Sequence, residues 1–235
     1  MAMKGKLALK CAYILTILSA LTLASLGSRA VTAISENMPP EWERCYIIDP
    51  GHGGVDGGAT SCTGKPESAF NLEISLRLRD LLHFMGCQTR MIRTDDSSVY
   101  TAGETISAKK MSDLKERVRI CNETEGAVLL SIHQNMFPES RYSGAQVFYP
   151  ATENSDALAN ALQKSMITWL NPGSNRNAKR SSNVYLLEHI SCPGVLIECG
   201  FLSNPEEEAR LRSEEYQKQL CCVIAATVTQ FYDER

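Results

Sequence analysis

Apolar residues follow two patterns along the chain, and their alternation predicts an α/β fold. Short runs of β-branched and aliphatic residues are typical of buried strands, whereas apolar residues three or four positions apart are typical of amphipathic helices. The predicted strands are residues 45–48, 88–93, 127–133, 145–149, 184–187 and 194–198. Because strands and helices alternate, we expect a single α/β domain with a mixed, mostly parallel central sheet flanked by helices.

The stretches between the strands carry the helical period. Residues 71–85 place five apolar side chains on one face, and a glycine, Gly86, follows as a stop signal. Residues 113–124 and 156–169 predict two further helices, and residues 172–177 are the clearest loop. In the last segment the apolar face consists of Leu220, Val223, Ile224, Val228 and Phe231.

The N-terminal residues differ from the rest in both charge and hydropathy. Residues 11–27 are uncharged and mostly apolar, with three lysines before them and small residues after them. This pattern predicts that residues 1–33 are a signal peptide or an N-terminal membrane anchor, and seventeen residues is too near the spanning limit to separate the two. Residues 34–43 are interpreted as a linker, and residues 44–235 as the folded domain. In either case the positive-inside rule places that domain outside the cytoplasm.

Composition and charge restrict the partners of the domain. Hydrophobic residues make up 43% and charged residues 22% of the chain, as in folded soluble domains. The first 33 residues hold four basic side chains and no acidic ones, so the remainder has 20 basic and 27 acidic residues, a net charge of −7. This balance argues against a nucleic-acid partner, because phosphates require a basic face.

Eight cysteines follow the leader, and the sequence offers two interpretations of them. Export permits disulfides, but Cys45, Cys199, Cys221 and Cys222 stand beside or within apolar runs, where free cysteine commonly serves as a small core residue. There is no CxxC pair that would indicate a cysteine-type zinc cluster. We therefore expect buried free thiols rather than a disulfide framework.

Polar groups at three predicted strand ends are candidates for chemistry. His52 follows the first strand, His133 ends the third, and Glu198 ends the last. The carboxyl ends of parallel strands meet at one edge of a sheet, where ligands bind. Two histidines and one acid, with a position left for water, form a common catalytic zinc site. Either Glu67, at the start of the first long helix, or Glu198 completes the site, and the other serves as general base.

Other interpretations of these residues are weaker. The glycines of GHGGVDGG do not match a dinucleotide-binding loop, since Asp56 stands where a third glycine is needed. Cys199 with His133 as its base is an alternative nucleophile, although it leaves His52 and Glu67 without a role. Glu67 alone would be a helix N-terminal acid. His83 and His189 are expected to be structural.

The motifs of the chain resemble those of the amidase-3 family, the zinc-dependent N-acetylmuramoyl-L-alanine amidases that cleave bacterial peptidoglycan. Within that family, the segments SGAQVFY and RNAKRSSNVYLLEHISCPG are most similar to the germination-specific amidases of spore-forming bacteria. The resemblance covers Tyr46 to Phe231 and identifies residues 44–235 as the catalytic domain. The matching segments are IIDPGHGGVDGGA, the acid in PESAFNLEISLRL, RMIRTDD, DLKERVRICN, LLSIHQNMF, SGAQVFY and PGVLIECGFLSNPEEE.

The resemblance implies a role for each site residue. His52, Glu67 and His133 correspond to the ligands of one zinc ion, and Glu198 corresponds to the acid that takes a proton from water. Arg93 and Arg117 also fall in family motifs, as structural or substrate-contacting residues. Two departures from the family, Pro66 before the ligating glutamate and Cys199 after the catalytic one, remove no functional group.

The implied function is hydrolysis of the amide between N-acetylmuramic acid and L-alanine, in spore cortex maturation through muramic-δ-lactam formation and in germination. The alternatives are a vegetative autolysin or a non-catalytic peptidoglycan-binding domain. The implied partners are peptidoglycan and, if the N-terminal segment is uncleaved, a membrane. Whether an accessory protein is required is left open. The implied location is the cell wall or the spore cortex.

Overall fold

Six strands form one sheet in the computed structural model, which describes residues 44–233. Its order is β2-β1-β3-β6-β4-β5; the first four strands run parallel, β4 is antiparallel to β6, and β5 is parallel to β4. The predicted mixed, mostly parallel sheet is thereby confirmed. The strands are β1 (Cys45–Pro50), β2 (Gln88–Met91), β3 (Ala127–Asn135), β4 (Gln146–Tyr149), β5 (Lys179–Arg180) and β6 (Gly194–Phe201).

Helices cover both faces of this sheet. The helices are α1 (Glu67–Phe84), α2 (Ile106–Glu123), α3 (Ser155–Trp169), α4 (Tyr185–His189), α5 (Pro205–Arg212) and α6 (Glu214–Asp233). The apolar faces of α1, α3 and α6 share one core, and α2 and α4 contribute to a second. Successive β3 residues alternate between the two cores, with Leu130 in the first and Leu129 in the second. Burial on both faces explains why the central strands are almost uninterrupted apolar runs.

The structure corrects the prediction at several elements. Residues 184–187, predicted as a strand, lie largely in the short helix α4, which packs Leu186 and Leu187 into the second core. A short apolar run has no period that separates strand from helix, so contact with the core decides. Helix α5 was not predicted because its sequence is mostly charged, although Asn204 caps it by accepting from the Glu206 and Glu207 amides. The two-residue strand β5 was not predicted either.

The N-terminal predictions, a leader at residues 1–33 and a linker at 34–43, lie outside the described residues. Within residues 44–233 no helix is both long and apolar enough to span a bilayer.

The eight cysteines of the described residues are free thiols, and four of them, Cys87, Cys121, Cys199 and Cys221, are buried. The expectation of burial is wrong for Cys62 and for Cys222 on α6, which are both exposed.

Candidate metal centre

The fold brings the predicted site residues to one edge of the sheet. Strands β1, β3 and β6 are parallel neighbours, so their carboxyl ends meet there. His52 lies two residues beyond β1, and His133 on β3 is the direct register partner of Glu198 on β6. Glu67 is the first residue of α1, immediately after Pro66, whose fixed φ suits the start of a helix.

Two imidazoles and one carboxylate converge at this edge. Glu67 Oε2 lies 3.3 Å from His52 Nε2, and Glu67 Oε1 lies 3.0 Å from His133 Nδ1. One ligand atom from each residue lies within 4.8 Å of the others, and among the described residues this is the cluster that could hold a metal ion. Two nitrogens and one oxygen with an open fourth position form a donor set suited to catalytic zinc.

The Glu67 carboxylate is fixed before any metal binds. It accepts hydrogen bonds from the backbone amides of Ala59 (3.0 Å) and Gln134 (3.2 Å) and from Asn71 Nδ2 (3.2 Å). Burial by itself would raise its pKa, but hydrogen bonds with His133 and His52 hold the pKa of Glu67 far below its usual range. The carboxylate is therefore charged and oriented at neutral pH.

The loop after β1 requires two of its glycines for close packing. A Cβ at Gly51 would stand 2.2 Å from His133 Nε2, and one at Gly58 would stand 2.7 Å from Glu67 Oε2. His52 itself adopts a left-handed backbone conformation with φ of 60°, which is strained for a side-chain-bearing residue. The loop therefore holds the ligand side chains against each other at a local conformational cost.

Two buried arginines hold the backbone of this loop. Arg93 donates to the carbonyls of Pro50 (2.9 Å), Gly51 (3.0 Å) and Ser68 (2.9 Å). Arg117 pairs with buried Asp49 and donates to the carbonyls of Pro50 (3.0 Å) and His52 (2.8 Å). The sequence left these arginines as structural or substrate-contacting, and their contacts favour the structural role.

Glu198 faces a cavity beside the histidines. The cavity has a volume of about 190 Å³, and its lining includes His52, His133 and Glu198. The Oε2 atom of Glu198 is buried and has no hydrogen-bond partner among the described residues. Burial raises the pKa of Glu198 to about 7. A carboxyl group with a free oxygen that faces a cavity is suited to proton transfer.

The raised pKa of Glu198 predicts a pH-dependent stability of the metal-free protein. A carboxyl group with a higher pKa in the folded state stabilises the fold fully below its unfolded value of 4.5, and this contribution is lost as the pH rises through about 7. Glutamine mimics the protonated form at every pH. We therefore expect the stability of Glu198→Gln relative to wild type to rise by about 2–3 kcal/mol from pH 5 to pH 8. Urea denaturation with chelator at both pH values measures this difference, and an equal difference at both would contradict it.

Other predicted residues lie away from the cluster. Cys199 is buried, and its thiol lies 3.6 Å from the Ile197 carbonyl. Burial raises the pKa of the Cys199 thiol well above its usual value, so Cys199 is unsuited as a nucleophile. His83 and His189 are exposed and are not part of the cluster. The sequence interpretation missed two residues that contact the ligands: Asn71, one helical turn after Glu67, and Asp56, within the glycine loop.

Comparisons with known proteins agree with this geometry. The family described as N-acetylmuramoyl-L-alanine amidase matches residues 47–230. The germination-specific N-acetylmuramoyl-L-alanine amidase of Bacillus subtilis (strain 168) is 36% identical over 195 residues, which cover 82% of this chain and 81% of that protein.

Solved structures give the same result. The CwlD amidase from Clostridioides difficile, in complex with the GerS lipoprotein, has a TM-score of 0.78 and 35% identity, covering 82% of this chain and 100% of that one. An N-acetylmuramoyl-L-alanine amidase from Clostridium difficile 630 has a TM-score of 0.72 and 31% identity, covering 83% of this chain and 99% of that one.

Proposed function

Because the chain belongs to the N-acetylmuramoyl-L-alanine amidase family, we propose that it uses one zinc ion to hydrolyse the amide between N-acetylmuramic acid and L-alanine in peptidoglycan. The cell-wall amidase activity follows from the family. The metal, its ligands and the role of Glu198 are what the proposal adds. The observation that carries it is the convergence of His52, Glu67 and His133 beside the unpartnered Glu198 oxygen.

His52 Nε2, Glu67 and His133 Nδ1 are the proposed ligands. A cation between them would take the place of the protons that the histidines otherwise share with the Glu67 carboxylate. Zinc bound there supplies a Lewis acid that acidifies water and polarises an amide carbonyl. Glu67 needs no rearrangement, since its backbone and Asn71 contacts already orient it.

Glu198 is the proposed general base and acid. Its Oε2 atom accepts a proton from the attacking water and then delivers the proton to the alanine amine as the amide bond breaks. Glu198 is the register partner of His133 on the neighbouring strand and both line the same cavity, which supports the two proposed roles. The products are a muramic acid with a free lactyl carboxylate and a peptide with a new N-terminal alanine.

The biological roles that we propose are spore cortex maturation and germination. In cortex maturation the enzyme would remove the peptide from muramic residues that are then converted to muramic-δ-lactam. Support comes from the germination-specific relative in Bacillus subtilis. The CwlD amidase was solved with a lipoprotein, which supports an accessory protein here too. We also propose that residues 1–33 export the domain or anchor it in a membrane.

Metal analysis and a muropeptide assay test the function. The purified protein is expected to hold one zinc ion per chain and to release peptides with N-terminal alanine from cortex peptidoglycan. A chelator should abolish release, and added zinc should restore it. Release that resists the chelator but is lost in Cys199→Ser would overturn the zinc mechanism. Zinc-loaded protein that binds peptidoglycan without cleaving it, even with an accessory lipoprotein, would favour the non-catalytic alternative.

A further inference from the structure

We propose that Asp56 is a positioning residue for the ligand His52, and that Lys110 of α2 holds Asp56 in place. Each ring nitrogen of His52 has its own carboxylate neighbour. Nε2 lies 3.3 Å from Glu67 Oε2, inside the cluster, and Nδ1 lies 3.0 Å from Asp56 Oδ2, outside it. The inference rests on the proposed zinc function, because it assigns what fixes one ligand of that site.

The contact decides which nitrogen of His52 is available to a metal. A neutral imidazole has one N–H and one lone pair, and a carboxylate accepts hydrogen bonds but donates none when ionised. A cation in the cluster would replace the proton between Nε2 and Glu67, while Asp56 retains the proton on Nδ1 and so leaves the Nε2 lone pair for the metal. Partners of this kind orient a ligating histidine and increase its basicity.

Asp56 is itself fixed by groups from two elements. Lys110 Nζ on α2 lies 3.0 Å from the same Oδ2 atom, and the Gly58 amide lies 3.3 Å from Oδ1. Backbone hydrogen bonds of 2.8 and 3.2 Å between Gly53 and Asp56 close the turn that carries the side chain. The Asp56 side chain is 26% exposed and lies between Lys110 and His52, so the partner of the outer His52 nitrogen is held from both sides.

The two histidines also differ in how they are oriented. His133 directs Nδ1 at Glu67, and its ring lies directly over Gly51, where a Cβ would overlap it. The two side chains are similarly exposed, at 19% and 18%, but His52 stands on a loop in a left-handed conformation, whereas His133 lies on β3. The restraint that this loop supplies is the contact between His52 Nδ1 and the Asp56 carboxylate.

The test compares zinc affinity across matched variants. Competition with a fluorescent chelator should show Asp56→Ala binding zinc about 10- to 100-fold more weakly than wild type, as for other partners of metal ligands. Asp56→Asn should lose less, because its amide oxygen still accepts the Nδ1 proton. Lys110→Met should weaken binding by a few-fold. Asp96→Asn, which alters an exposed contact to the Gly54 amide of the same loop, and Lys109→Met, beside Lys110, should stay within twofold.

The orientation of the His52 ring gives a second readout that needs no metal. NMR side-chain couplings of the metal-free protein should show one χ1 rotamer of His52 in wild type and averaging between rotamers in Asp56→Ala. Wild-type zinc affinity and an unchanged rotamer in Asp56→Ala, with a cooperative melt that proves folding, would overturn the inference. If wild type bound no zinc, the proposed function would fail, while the rotamer comparison would still decide the role of Asp56.

Discussion

Glu198→Gln is expected to lower kcat for muropeptide release by roughly 10²- to 10⁴-fold, the range for loss of a general acid–base group. Glutamine keeps the shape of the side chain but cannot accept the proton of water. The free Oε2 atom beside the shared cavity makes the wild-type carboxyl group suited to that transfer. Zinc content should stay at one ion per chain, because Glu198 is not among the three proposed ligands.

The neighbouring residue provides the control for this variant. Cys199 follows Glu198 on β6 but its side chain belongs to the opposite, apolar core. Cys199→Ser should therefore keep kcat within a few-fold of wild type, with a lower melting temperature from the buried hydroxyl. A Glu198→Gln protein that retains wild-type kcat would refute the assignment, whereas equal kcat losses in both variants would indicate a packing effect.

The positions of the three proposed ligands could be predicted because each residue stands at an element boundary. His52 follows β1, His133 lies near the end of β3, and Glu67 begins α1. The rule that parallel strands end at one edge brings such residues together without any knowledge of side-chain packing. The sheet order agrees, since β1, β3 and β6 are neighbours.

The surroundings of the ligands could not be predicted in the same way. Arg93 and Arg117 hold the loop through backbone carbonyls, which no sequence pattern records. Asp56 contacts His52 only because the loop turns back at Gly53, and Lys110 reaches it from a helix more than fifty residues away. Contacts of this kind depend on tertiary packing, as does the helix at residues 185–189.

The same packing sets a cost that a bound metal would offset. Without metal, Glu198 is buried next to a charged Glu67, and the repulsion adds to the burial that raises its pKa. A cation held by His52, Glu67 and His133 would favour the charged forms of both carboxylates. Zinc binding should therefore stabilise the fold more strongly as the pH rises through about 7. The ionisation of Glu198 and the binding of zinc are then coupled.

Glu67→Gln is expected to weaken zinc binding by more than about 100-fold, because loss of a direct ligand should exceed the 10- to 100-fold cost of losing an outer partner. Hydrolysis should fall with the bound zinc. The substitution also removes the charge that interacts with both histidines, so the metal-free protein should be less stable than wild type at pH 7. A carboxyl group with a lowered pKa stabilises the fold fully above its unfolded value of 4.5, and this contribution is lost only as the pH falls from there through the much lower folded value.

Glu73→Gln on the same helix is the matched control for the loss of a charge. Glu73 is 46% exposed and pairs with Lys65 at 2.7 Å, so its loss should change stability by less than about 1 kcal/mol and leave zinc binding unchanged. Chelator competition, zinc content and urea denaturation of the metal-free proteins at pH 7 measure these effects. Glu67→Gln that binds zinc as tightly as Glu73→Gln would remove Glu67 from the ligand set, because glutamine lacks the charge that makes carboxylate a strong ligand at this position.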